Sequence, residues 1–163
     1  MSTAVLSVGS NMGDRLATLQ DAVDAMRPWV RVVSPVYETA PWGPVPQDDY
    51  LNIAVVVSDD ASSARDWLVL AQRLENHAGR VRDVRWGPRT LDVDVIDVDA
   101  ITQDDPELTL PHPRAAERAF VLVPWLDVDP DATLGGRAVR DVIATLPADE
   151  VGGVRLRTDL VVG

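Results

Sequence analysis

Apolar residues in the first hundred positions follow two different periods. The order in which those periods alternate restricts the fold more than any other feature of the chain. Thr3 to Val8 is a short apolar run ending at Gly9-Ser10-Asn11, which reads as a strand and then a turn. Leu16, Leu19, Val23 and Met26 recur at helical spacing until Pro28 stops the pattern. Val30 to Tyr37 and Tyr50 to Ser58 are predicted strands, the first β-branched and aromatic, the second apolar through its middle. Ser63-Ala64-Arg65-Asp66 has the form of a capping box opening a second helix. That helix buries Trp67, Leu68, Ala71 and Leu74, and Gly79 is its natural stop. Leu91 to Val98 is a fourth strand. The order β-α-β-β-α-β predicts an α+β fold of the ferredoxin-like type, an antiparallel-containing sheet with helices packed on one face. A short helix near 114–126, a C-terminal helix from Arg137 to Leu146 and a short edge strand after Pro147 complete the expectation. Residues 1–163 are read as a single domain.

Absences narrow the chemistry. The chain has no cysteine, so thiol nucleophiles, disulfides and Cys-ligated metals are excluded. All fifteen basic residues are arginine, so neither a Walker A lysine nor Schiff-base chemistry is available. Two histidines, His77 and His112, are too few for a three-histidine metal site. A net charge of −11 argues against a general nucleic-acid binder. No apolar run approaches the ~20 residues of a membrane span. The opening Met1-Ser2-Thr3-Ala4-Val5 has no basic region ahead of a hydrophobic one, so a cytoplasmic location is expected. Carboxylates, arginines and a bound metal remain.

Asp92 and Asp94 lie two apart in a predicted strand, so their side chains share a face with Cα atoms ~6.5–7 Å apart. Such a pair suits one or two Mg²⁺ ions, with phosphates and water completing the shell. By itself it describes more readily the wet side of an amphipathic strand. Asp97 and Asp99 fall on the opposite parity and read as turn carboxylates. Just upstream, Arg80, Arg82, Arg85 and Arg89 crowd into ten residues of a strongly acidic protein. Guanidinium forks donate bidentate bonds to phosphate and keep their charge. Together the arginines and carboxylates favour phosphoryl transfer, which depends on positioning and charge neutralisation.

The run Arg85-Trp86-Gly87-Pro88-Arg89-Thr90-Leu91-Asp92-Val93-Asp94 resembles the R-W-G-P-R-T-[LI]-D-[LIV]-D signature of hydroxymethyldihydropterin pyrophosphokinases. Further family-like pieces follow in order: Gly9-Ser10-Asn11 with Gly13-Asp14, Tyr37-Glu38-Thr39, Tyr50-Leu51-Asn52, Gly79-Arg80-Val81-Arg82, and Pro111-His112 followed by Arg118-Ala119-Phe120. The resemblance covers the chain to about residue 145 and implies a ferredoxin-like fold. It implies ATP as co-substrate, two Mg²⁺ ions on Asp92 and Asp94, and in-line attack of 6-hydroxymethyl-7,8-dihydropterin on the β-phosphorus, releasing AMP. Arg80 and Arg89 join the two carboxylates as catalytic residues. Gln72, Glu75, Arg82, Arg85, Trp86, Arg89, Thr109, His112 and Arg118 are implied on the ATP side. Thr39, Ala40, Trp42, Tyr50, Asn52, Trp86 and Phe120 are implied around the pterin, with Tyr50 and Phe120 stacking on it.

Three positions depart from the pattern: Glu107 where a basic residue can occur, the short acidic stretch Asp83-Val84, and Pro113 in place of an aromatic. The loop at 40–49, with three prolines, and the loop at 79–88 are expected lids. The expected partners are the two substrates, with no nucleic acid or membrane, and the expected state is a monomer. A module that binds ATP–Mg²⁺ without catalysis is the rival reading; it would need the arginines but no ring pocket.

Overall fold

In the computed structural model, which describes residues 2–41, 43–79 and 90–163, the chain begins with β1 (Ser2–Ser10), α1 (Arg15–Ala25), β2 (Val30–Val33) and β3 (Tyr37–Thr39). There follow β4 (Tyr50–Asp59), α2 (Ala64–His77), β5 (Asp92–Val98) and the short pair β6 (Gln103–Asp104) and β7 (Thr109–Leu110). A 3-10 turn at Ala115–Glu117 leads into α3 (Ala119–Val128) and the hairpin β8 (Thr133–Leu134) and β9 (Arg137–Ala138). The chain closes with α4 (Val139–Ala144), α5 (Ala148–Gly152) and β10 (Arg155–Leu156).

Among the described residues the main sheet runs β10-β3-β4-β1-β5, with β2 beside β3 on the same edge of β4. Every pairing in it is antiparallel. With β2 and β3 counted as two halves of one strand, this is the order expected of the ferredoxin-like arrangement. The predicted strand at 30–37 divides because Pro35 has no N–H to donate. Ser34 covers the gap: its N–H donates to Ala54 O at 2.9 Å, and its Oγ accepts from Ala54 N at 2.8 Å.

Alternation along the central strands gives the sheet two apolar faces. Leu6, Val8, Ile53, Val55, Val93 and Val95 face α1 and α2, where they meet Leu19, Val23, Met26, Trp67, Ala71 and Leu74. Val5, Ala54 and Ile96 face the other way, onto Val121, Leu122 and Trp125 of α3 and Val139 and Val142 of α4. Helices therefore cover both faces, not one. The second layer was hidden because α3 is apolar nearly all round and carries no polar stripe to mark a surface.

Helix α2 starts as its capping box predicts, with Ser63 Oγ accepting from Asp66 N and Asp66 Oδ2 accepting from Ser63 N. It stops at Gly79, whose φ of +72° is a backbone state that glycine adopts without a Cβ penalty. The predicted helix at 137–146 shortens to α4, since Arg137 and Ala138 are used by the β8–β9 hairpin. The edge strand expected after Pro147 is β10, on β3.

Candidate functional site

One end of the sheet gathers the candidate side chains, and the register shows how. Gly9 on β1 stands opposite Asn52 of β4 on one side and Asp92 of β5 on the other. Asn52 in turn faces Tyr37 of β3, and Thr39 faces Tyr50. The next row holds Ala54, Ser7 and Asp94. Since Ala54 belongs to the α3 face, all of these positions share it. Neighbouring strands are ~4.8 Å apart, so Asn52 and Asp92 lie ~10 Å apart across a glycine that contributes no side chain. The outcome is a trough in front of the N-terminus of α3, with Asn52, Thr39 and Tyr50 at one side and the two aspartates at the other.

Gly9 stands among these candidate positions, and sequence reasoning passed it over. A Cβ there would come within 2.7 Å of Asn52 Oδ1 and 3.3 Å of Tyr50 Cδ1. Asn52 cannot easily retreat, because it is buried and its Nδ2 donates to Thr39 Oγ1 at 2.7 Å. That bond uses a hydrogen of Asn52 and a lone pair of Thr39. The Asn52 carbonyl oxygen and the Thr39 hydroxyl proton take no part in that bond.

At the other side, Asp94 Oδ2 is 3.7 Å from Arg118 and Asp94 Oδ1 is 4.0 Å from His112 Nε2. The Arg118 guanidinium also lies 5.7 Å from the centre of the Phe120 ring, so one cation connects the carboxylate side to the aromatic side. Arg118 is the N-cap of α3, whose first turn contains no acid, and the helix dipole adds to the positive potential there. The backbone N–H of His112 donates to Ile96 O at 2.8 Å, and its Nδ1 accepts from Arg114 N at 3.2 Å. The ring proton of neutral His112 is therefore on Nε2, the nitrogen nearer Asp94.

Burial, with Arg118 and Arg114 adding to it and Asp92 opposing, pulls the His112 pKa down from 6.5 to about 4. At neutral pH the contact with Asp94 is therefore not an ion pair. A folded value below the unfolded one means that the contribution of neutral His112 to stability is complete above pH ~6.5 and drains away towards pH ~4. In an NMR titration of the ligand-free chain, the His112 ring resonances are expected to stay in the neutral position at pH 5.5. A midpoint near 6.5 would contradict this.

Glu75 is placed differently from Gln72, although both are on α2. Gln72 is exposed, whereas Glu75 is only 4% exposed and its Oε2 accepts from Val93 N at 3.1 Å. That N–H lies between Asp92 and Asp94 on an edge strand, so Glu75 ties the strand bearing both carboxylates to α2. Glu75→Ala is expected to cost about 1–3 kcal/mol, the usual loss when a buried donor loses its acceptor. Glu75→Gln retains an acceptor and should recover most of it in a thermal melt.

Thr109, on β7, donates from Oγ1 to Asp105 O at 3.0 Å. Glu107 forms an exposed pair with Arg65 at 2.6 Å, which accounts for an acid at that position. Register with β1 slips where Val5 faces Asp97 and Leu6 faces Val95, leaving Ile96 as the extra residue. Parity counted from Asp92 therefore fails beyond Ile96, and Asp97 does not lie on the face that alternation assigned to it. Asp97 does act as a turn carboxylate, accepting from Ala100 N, whereas the Asp99 carboxylate reaches out of the turn to accept from Thr3 N on β1. The candidates Trp42, Arg80, Arg82, Arg85, Trp86 and Arg89 lie outside the described residues.

The end of the 40–49 loop is tied down by residues that carried no chemical signal. Asn11 Nδ2 donates to Gln47 Oε1 and Asp48 O, and Arg15 donates to Asp49 O at 2.8 Å. The Gly9-Ser10-Asn11 triplet was the visible sign that this turn matters.

Comparison with known proteins places these features in context. A family model described as 7,8-dihydro-6-hydroxymethylpterin-pyrophosphokinase (HPPK) matches residues 5–130. A Mycobacterium leprae protein named 2-amino-4-hydroxy-6-hydroxymethyldihydropteridine pyrophosphokinase is 52% identical over 171 residues, covering 96% of this chain and 89% of the relative. A Mycobacterium tuberculosis protein of the same name is 45% identical over 169 residues, covering 96% and 90%. The solved structure of wild-type Plasmodium falciparum HPPK-DHPS superposes with a TM-score of 0.62 over 88% of this chain at 14% identity. This chain spans 40% of the length of that one, and the likeness concerns the fold.

Proposed function

Because the chain belongs to the 7,8-dihydro-6-hydroxymethylpterin-pyrophosphokinase (HPPK) family, we propose that the trough in front of α3 is its active site. The reaction is transfer of a pyrophosphoryl group from ATP to the hydroxymethyl group of 6-hydroxymethyl-7,8-dihydropterin in folate biosynthesis. The observation that carries the site assignment is the register row Asn52–Gly9–Asp92, which sets a ring-reading amide and a metal-type carboxylate on one face with a glycine between them.

The pterin lies at the Thr39–Asn52 side, with its ring faces against Tyr50 and Phe120. Thr39 and Asn52 read its amide-like edge, and Ala40 borders it. The hydroxymethyl group then points along the trough towards Asp92 and Asp94. Arg118, His112 and Thr109 line the polyphosphate side. We assign Gln72, Arg82, Arg85 and Trp86 to ATP, Arg80 and Arg89 to the transferring group, and Trp42 and Trp86 to the ring. Glu75 acts on the ATP side through the strand it holds.

Asp92 and Asp94 offer hard carboxylate oxygens, half-buried and on one face, the donor chemistry that Mg²⁺ takes. Mg²⁺ held there, two ions in our reading, would neutralise charge on the β-phosphate and its neighbours. The chain's own part is to bind, orient and exclude water. Asp94 is held between Arg118 and His112, Arg118 keeps positive charge at the transferring group, and His112 stays neutral as an Nε2–H donor. The β-phosphorus is the site of attack and AMP leaves. The bonded Thr39–Asn52 pair argues against the non-catalytic ATP-sensing alternative, which needs no ring pocket.

Residues 1–163 act as one catalytic domain and as a monomer, in the cytoplasm where ATP is supplied. Among the described residues no helix is long and apolar enough to cross a membrane. AMP release from ATP and Mg²⁺, measured with and without the pterin, tests the function. Strong pterin dependence is the expected result, and ATP binding without AMP would leave only a sensor.

A further inference from the structure

The C-terminal segment lies beyond the 5–130 match to the family, and the site described above makes no use of it. It is nevertheless firmly attached next to that site. β10 pairs with β3 so that Arg155 faces Glu38, and the Arg157 N–H donates to Val36 O at 2.9 Å. Glu38 receives Arg15 at 2.7 Å, Arg157 at 3.0 Å and Arg155 at 3.5 Å. The bond from Arg15, and then the charges of Arg15 and Arg157, hold its carboxyl below the usual range. Arg155 also reaches Asp49 at 2.8 Å, which joins the segment to the end of the 40–49 loop. Glu38 directly precedes Thr39, so this network holds the segment after α5 beside that strand.

Between these parts is a cavity of about 260 Å³. Thr39, Ala40 and Pro41 form one wall, Phe120 a second, and Glu150 and Val154 the third. Thr39, Ala40 and Phe120, three of the nine residues that line it, are already assigned to the pterin. Small-molecule pockets begin at ~300 Å³, so this space suits part of a ligand better than a separate molecule. Its walls are mainly apolar, which suits a flat ring and not a phosphate.

We propose that α5 and the residue stretch after it complete the ring pocket, with Val154 and Glu150 as specificity-determining residues for the pterin. The inference rests on the functional reading above. The segment supplies the wall that faces Thr39–Pro41 and limits how large a ring can enter beside Phe120.

The test is a comparison of KM values for both substrates in Val154→Trp. The bulky side chain fills the cavity and is expected to raise the pterin KM about tenfold or more, with the ATP KM within about twofold. Val154→Trp that melts like the wild type and keeps the wild-type pterin KM would overturn the proposal. Glu150 is exposed, so Glu150→Arg does not challenge folding. It is expected to raise the pterin KM severalfold, and an unchanged value in that variant also counts against the proposal. No pterin-dependent AMP from the wild-type chain is a different result, which removes the functional reading itself.

Discussion

Asp94→Ala is expected to cut pterin-dependent AMP release by about 10³-fold, with the fold intact. The loss follows from position. Asp94 shares a face with Asp92, and the pair supplies the carboxylate oxygens at the side of the trough proposed for the polyphosphate. With one gone, charge on the transferring group loses its preorganised counterpart, and Arg118, now 3.7 Å from Asp94, loses the acid that orients it. Stability should change little, since the Asp94 side chain is 32% exposed and the core contacts of β5 come from Val93, Val95, Ile96 and Val98. AMP formation over a Mg²⁺ titration checks this, and Asp94→Asn separates loss of charge from loss of volume. A rate within about tenfold of wild type at saturating Mg²⁺ would show that the carboxylate pair is not where the reaction holds its charge.

Gly9→Ala is expected to raise the pterin KM by about 10- to 100-fold and to lower stability by about 1–3 kcal/mol, as overpacking does. The added Cβ meets Asn52 Oδ1 at 2.7 Å, inside any normal contact. Relief requires moving an amide that is 3% exposed and bonded to Thr39, so the ring-reading pair is disturbed whichever way the clash resolves. The ATP KM should move much less, because Arg118, His112 and Thr109 lie on other elements. KM values for the two substrates and a melting curve decide the matter. Equal losses for both substrates would mean that Gly9 supports the whole sheet end and not the ring side.

Much of the architecture is encoded in local sequence patterns. Strand and helix periods are local properties, so β1, α1, β4, α2 and β5 were visible as patterns of apolar residues. The capping box at Ser63 and the stop at Gly79 are local too, and both stand as read. The shared face of Asp92 and Asp94 follows from a period of two, and the ten-residue run ending at Asp94 pointed to the family by its residues alone.

Other features depend on which distant segments meet. That helices cover both faces is decided by where α3 docks, and a helix apolar all round does not announce its side. The bulge at Ile96 is a property of the β1–β5 register. Glu75 is a polar residue in a helical pattern until α2 is laid against β5, where its carboxylate finds the Val93 N–H.

The sequence by itself determined the element order, the carboxylate pair and the chemistry those residue types allow, because each depends on neighbours within a turn or a strand. Only the tertiary structure decided that Gly9 separates Asn52 from Asp92, that Glu75 is buried, and that residues 149–154 stand beside Phe120. Those facts depend on pairings between residues tens of positions apart, and burial or contact there is set by packing, which no local period encodes.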